Sequence, residues 1–197
     1  MSHTVITVGR QFGSGGRIIA QRVAEALRIP FYDKAVIDLA AKETGLSEEF
    51  IRQAEQKKTS SFLYNLYMST QNLPVSDQVF IAESDVIRKV AAVGPCVIVG
   101  RCADYVLRNQ EGVLNLFIHA PLEERIARAK EEYHVEAPDV RSYVLKQDKS
   151  RAAFYEHFSD RTWGRAENFH LSINSTIGLD ISVDLILALV RERGFHA

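Results

Sequence analysis

Gly13-Ser14-Gly15-Gly16-Arg17 packs three glycines between a β-branched stretch, Thr4 to Val8, and an alanine-rich helical pattern. Glycines let successive backbone N–H groups converge on one anion, and the positive end of the next helix faces the same point. Such a turn can cradle a phosphate. The ordinary phosphate loop reads glycine, four residues, then Gly-Lys-Ser/Thr, with the lysine on the outer phosphates and the hydroxyl on magnesium. Setting Gly15 in the glycine slot before that lysine puts Gly16 where the lysine belongs. Arg17 then takes the place of the hydroxyl, and Arg10 the place of the first glycine. The loop is degenerate in this sense. Either its cation has been relocated, to Arg17 or alternatively Arg10, or its catalytic role is lost.

Other charged residues fall where they could join such a loop. Arg101 follows the apolar run Cys96 to Val99 and a glycine, at the carboxyl end of an expected strand, where open α/β sheets bind ligands. Asp33 follows a second short strand pattern, Ile29 to Tyr32, and could bind an acceptor group or hold water around magnesium. Arg125 and Arg128 share a helix face, and so do Asp148 and Arg151. Solvated charged faces and i, i+3 salt bridges would give the same spacings. Lys146, Lys149 and Arg161 extend the cationic set more weakly.

The elements that must position these residues alternate along the chain. Strand patterns at Thr4 to Val8, Ile29 to Tyr32, Cys96 to Val99, Val113 to Ile118 and Phe169 to Ile173 are continuously apolar, as in a parallel sheet covered on both faces. Between them lie helical patterns. Ile19, Val23 and Leu27 follow the glycine loop, and Ser47 caps a helix carrying Phe50, Ile51 and Ala54. Val75, Val79, Val86 and Val90 make a long stripe, and charged helices begin at Leu122 and near Pro138, the second running to Tyr155. Ser182 is placed to cap a last helix with Leu185, Ile186, Leu189 and Val190 inward. Lys57 to Pro74 reads as a long connection. Alternation of this kind predicts βαβ units with right-handed crossovers.

The bulk properties narrow the class. A chain of 197 residues, 46% hydrophobic and 25% charged, fits one globular domain. A net charge of −1 argues against binding polymeric nucleic acid. No apolar run approaches the ~20 residues of a membrane span, and the first strand pattern begins without a signal-type segment. Cys96 and Cys102 read as free thiols, and a cytoplasmic location is expected. The scattered histidines give no zinc spacing, and no carboxylate stands out as a magnesium ligand.

With strand, glycine loop and helix in order, the sequence resembles the cytidylate kinase-like family of nucleoside monophosphate kinases. The resemblance rests on Gly13-Ser14-Gly15-Gly16-Arg17, Ile29-Pro30-Phe31-Tyr32-Asp33-Lys34 and Val97-Ile98-Val99-Gly100-Arg101. It continues through Leu122-Glu123-Glu124-Arg125-Ile126-Ala127-Arg128 and Asp148-Lys149-Ser150-Arg151. It implies a three-layer P-loop α/β fold with a five-stranded parallel sheet, formed by one domain over 1–197. Residues of about 34–92 would make a helical NMP-binding insertion, and about 122–160 a helical lid.

By the same resemblance Gly13 to Arg17 would hold the ATP phosphates, and Arg17, Arg128 and Arg151 would serve catalysis. Asp33, Arg101, Asp148 and Arg151 would bind the acceptor, with Arg125 and Arg128 closing from the lid. The implied reaction is transfer from Mg·ATP to a monophosphate, CMP or dCMP first. Val99 and Cys102 replace the aspartates that usually flank the Gly-Arg pair, which leaves another small acceptor open. The missing lysine leaves a catalytically silent nucleotide-binding regulator open as well. Phe62, Leu63, Tyr64, Leu66 and Tyr67 could form a homodimer surface or pack under the lid.

Overall fold

A computed structural model describes residues 4–33 and 74–194. The expected Ser47 helix, the Lys57 to Pro74 connection up to residue 73, and the aromatic set from Phe62 to Tyr67 lie outside the described residues. Five strands build the sheet: β1 (Val5–Arg10), β2 (Phe31–Tyr32), β3 (Cys96–Val99), β4 (Val113–His119) and β5 (Leu171–Asn174). Their order is β2-β3-β1-β4-β5, and every neighbouring pair is parallel. β1 is therefore central, and its carboxyl end opens between those of β3 and β4.

Helices cover both faces, as continuously apolar strands require. On one face Ile6, Val8, Val97, Leu114 and Leu116 meet Ile19 and Val23 of α1 (Gly16–Leu27). Val183, Ile186 and Val190 of α6 (Leu179–Glu192) complete that layer. On the other face Val5, Cys96, Ile98 and Val113 meet Val86, Ile87 and Ala91 of α2 (Val75–Val93). Ala103 and Val106 of the short α3 (Ala103–Val106) join them there. α4 (Leu122–Glu131) and α5 (Val140–Ser159) share a small cluster of their own, with Ala129, Val140 and Val144 packed against Phe12 of the glycine loop. The three-layer P-loop architecture is thus the one the sequence predicts, and β1 delivers the loop to the middle of the sheet's carboxyl edge.

Some boundaries differ from expectation, each for a local reason. Ser182 does not cap α6. The helix starts at Leu179, and the buried Ser182 hydroxyl donates back to the Gly178 carbonyl at 2.7 Å. Leu185 faces solvent at 46% exposure, because the packed stripe is Val183, Ile186 and Val190. β5 starts at Leu171, after Phe169 has turned to pack on Phe117 with ring centroids 5.0 Å apart. α5 runs one turn past Tyr155, to Ser159, and its start is capped by Asp139, whose side chain accepts the Ser142 N–H.

Leu116 is fully buried in the centre of β4. Leu116→Ala is expected to lower stability by about 2–5 kcal/mol, read from the urea midpoint at unchanged slope.

Candidate phosphate and acceptor site

The glycine loop is held from three sides. Phe12 donates its N–H to Asp148 Oδ1 at 2.7 Å and its carbonyl accepts Arg125 Nη1 at 3.2 Å, while Arg125 also pairs with Asp148 Oδ2. The Gly13 carbonyl accepts Arg128 Nη1 at 3.0 Å. The Ser14 carbonyl accepts the Ser175 hydroxyl at 2.6 Å. With their carbonyls pulled outward, these residues leave the turn to the conformation that two glycines permit. Gly13 and Gly15 have φ of 78° and 77°, a left-handed backbone that side chains disfavour. A Cβ at Gly13 would also overlap the Arg125 carbonyl. α1 begins directly after Gly15, so its amino end points at the cradle.

Positive charge gathers beside this loop. Arg10 ends β1, Arg101 follows β3 and Arg151 comes from α5, and all three line one pocket of about 260 Å³. Arg151 donates to the Arg10 carbonyl at 3.0 Å and stands over the Phe12 ring at 5.4 Å. Burial lowers the Arg151 pKa below the usual guanidinium value. Burial first, and then repulsion from Arg151, pull Arg10 down to about 9. Carboxylates among the described residues offset this charge, Asp148 acting on Arg151. Asp33 Oδ2 accepts from Arg17 Nε at 2.6 Å and Asp33 Oδ1 lies 3.8 Å from Arg10, while the fully buried Glu83 lies 3.4 Å from Arg101.

The backbone that aims Arg101 is unusual. Gly100, Arg101 and Cys102 all have positive φ, at 78°, 56° and 53°. Each non-glycine residue held this way costs about 1–3 kcal/mol, and such strain gathers at functional sites. Deeper in the pocket the wall turns aromatic, with Phe154, Tyr155, Trp163 and Phe169. Tyr155 donates to the buried Asp104 at 2.7 Å. Burial holds both groups above their usual values.

The sequence model of the cytidylate kinase-like family matches residues 5–177, nearly the whole chain. The protein belongs to the cytidylate kinase-like family. A solved structure of an uncharacterized protein from Eubacterium ventriosum aligns with TM-score 0.74 and 24% identity, over 96% of this chain and 99% of that one. Shikimate kinase from Bacteroides thetaiotaomicron aligns with TM-score 0.58 and 12% identity, over 95% and 98%. Deoxyadenosine kinase from M. mycoides, solved with dCMP and dCDP, aligns with TM-score 0.53 and 11% identity, over 96% and 100%. These likenesses show a shared fold. No curated protein matches the sequence at a significant level. Among the described residues no helix is long and apolar enough to cross a membrane.

Against this family frame the expected site residues divide. Arg101, Arg151 and Asp33 meet in the pocket wall. Arg17 stands at its edge with a side chain 54% exposed, held outward by Asp33. Arg128 lies beside the loop, its guanidinium carbon 3.6 Å from where a Gly15 Cβ would be. Asp148 and Arg125 are not in the pocket wall. Arg125 is buried and Asp148 largely covered, both bound to Phe12 and to each other, because a short aspartate at that turn of α5 reaches the backbone first. Lys146 and Lys149 are exposed, and Arg161 stands over the Tyr105 ring at 5.3 Å. Cys96 and Cys102 are buried free thiols, pushed above the ordinary thiol range by burial.

Sequence reasoning overlooked the aromatic wall and Asp104, which lines the same pocket as Cys102. One signal was available. Asp148, Arg151 and Tyr155 are spaced i, i+3, i+7, so a single α5 face must carry all three inward.

Among the described residues no three His, Cys, Asp or Glu side chains cluster as a metal-ligand set, and the hydroxyl position of the loop is Arg17. The donors among the described residues do not make a protein-built magnesium cage. Asp148→Ala would leave Arg125 buried without its carboxylate. Its cost is expected at about 3–5 kcal/mol, checked by chemical denaturation.

Proposed function

We propose that this chain transfers the γ-phosphoryl group of Mg·ATP to a small acceptor, a nucleoside monophosphate first of all, with CMP or dCMP the leading candidate. The observation that carries the reading is the convergence of Arg10, Arg101 and Arg151 on one pocket beside the glycine loop. Transfer between two polyanions needs positioning and neutralised charge more than covalent chemistry. The backbone from Gly13 to Arg17 holds the donor phosphates, with Arg128 beside it. Arg101 and Arg151 meet the acceptor and the transferring group. Asp33 orients Arg17 and stands at the acceptor entrance. Arg125 and Asp148 act as a positioning pair for Phe12 and the loop, rather than on the acceptor itself.

No strong base is required, since an acceptor phosphate is already ionised near neutral pH. Magnesium belongs to the substrate in this scheme, carried by nucleotide oxygens and water as it commonly is. The aromatic wall of Phe154, Trp163 and Phe169 suits a planar base, and the Asp104–Tyr155 pair offers it polar atoms.

A second reading, another small acceptor, is favoured by one specific feature. Val99 and Cys102 line the pocket where paired carboxylates would select cytosine, and a site without such groups discriminates bases poorly.

A coupled assay of ADP release, run over a panel of monophosphates and small hydroxylated acids, tests both. Turnover is expected with at least one acceptor. Arg151→Ala is expected to lower kcat by ~10²-fold. Tight ATP binding with no turnover on any acceptor would instead favour a catalytically silent nucleotide sensor. Full activity of Arg151→Ala at unchanged KM would remove that residue from the mechanism.

A further inference from the structure

Arg10 and Gly16 occupy one space. A Cβ placed on Gly16 would lie 2.7 Å from Arg10 Cβ, 3.0 Å from Ile118 Cβ and 3.3 Å from Arg10 Cγ. A lysine at position 16 therefore cannot coexist with the arginine stem as it lies here. The far end of the same side chain is fitted just as closely. A Cβ at Gly100 would fall on Arg10 Nη1. Two glycines, one heading α1 and one ending β3, thus bracket a single arginine. Its guanidinium is carried from the loop to the pocket shared with Arg101 and Arg151.

We propose that Arg10 is the phosphate-binding cation that replaces the loop's missing lysine, transposed from the residue after the glycine turn to the residue before it. Arg17 does not fill that place. Its side chain is half exposed and turned to Asp33. Arg10 by contrast is only 19% exposed, and Asp33 Oδ1 lies 3.8 Å from its guanidinium. Holding a buried guanidinium against Arg151 and Arg101 is unfavourable until an anion arrives, which is why its proton is held more loosely than usual. Because this pKa is lowered on folding, the charged form costs stability at every pH below about 9. Removing the charge should stabilise the empty protein at neutral pH while weakening anion binding. A merely structural arginine would do the reverse.

The inference rests on the kinase reading for its catalytic consequence, but not for its binding consequence. The test uses the full chain with inorganic tripolyphosphate as the binding probe, and phosphoryl transfer as a separate readout. Arg10→Met is expected to raise the melting temperature without ligand. It should weaken tripolyphosphate binding by about tenfold or more by calorimetry. Gly16→Lys alone should lower the melting temperature through the clash with Arg10. The double variant Arg10→Gly with Gly16→Lys should bind tripolyphosphate more tightly than Arg10→Gly alone, because the lysine then enters the vacated space.

Binding in Arg10→Met equal to wild type would overturn the proposal. So would a folded double variant no better than Arg10→Gly, or a wild-type chain that does not bind tripolyphosphate. Transfer intact in Arg10→Met sinks the role of Arg10 and leaves the kinase reading standing. Absent transfer in wild type, with binding lost in Arg10→Met, sinks the kinase reading and sustains Arg10 as the anion ligand.

Discussion

Crowding of positive charge at the carboxyl end of the central strand is the constraint on which the rest depends. Arg10, Arg101 and Arg151 face one pocket, and among the described residues Asp33 stands by Arg10, Glu83 by Arg101 and Asp148 by Arg151. Like charges gathered and desolvated this closely are expensive to hold, and such clusters are common where an anionic ligand binds. The surrounding structure bears that expense. The sheet core of Ile6, Val97, Leu114 and Leu116 is rigid and fully buried, so β1 and β3 hold their ends against the repulsion. The left-handed run Gly100-Arg101-Cys102 stores further strain in aiming Arg101.

α5 couples the parts. Its Asp148 holds the Phe12 N–H, its Arg151 holds the Arg10 carbonyl, and its Tyr155 holds Asp104. The three contacts reach the glycine loop, the end of β1 and the pocket's inner wall in turn. A shift of this helix would change the glycine loop, the cationic cluster and the aromatic wall together. Any movement of α5 would therefore be felt at all three places.

Much of this was legible in the sequence. Continuous apolar runs gave a parallel sheet, and the glycine run after the first of them located the loop. What could not be read was which partner each charged side chain would choose. Asp148 and Arg151 are spaced like an exposed ion pair, yet one binds a backbone N–H and the other a backbone carbonyl across the molecule. Arg125 has the surroundings of a solvated helix face, two glutamates beside it, and is nevertheless buried at 5% exposure. Such choices are fixed by tertiary packing, not by spacing along a helix. The Arg10–Gly16 exclusion lies deeper still, because residues six apart on different elements give no periodic signal. Small errors at Ser182, Leu185 and the start of β5 have the same origin: local propensity yielded to packing.

Phosphorus NMR of the chain mixed with Mg·ATP and each acceptor in turn tests the central claim most directly, because donor and acceptor phosphates are resolved in one sample. The account predicts that the γ resonance of ATP falls in step with a new phosphoryl resonance on one acceptor. A γ resonance that persists with every acceptor, or that becomes inorganic phosphate alone, would contradict it.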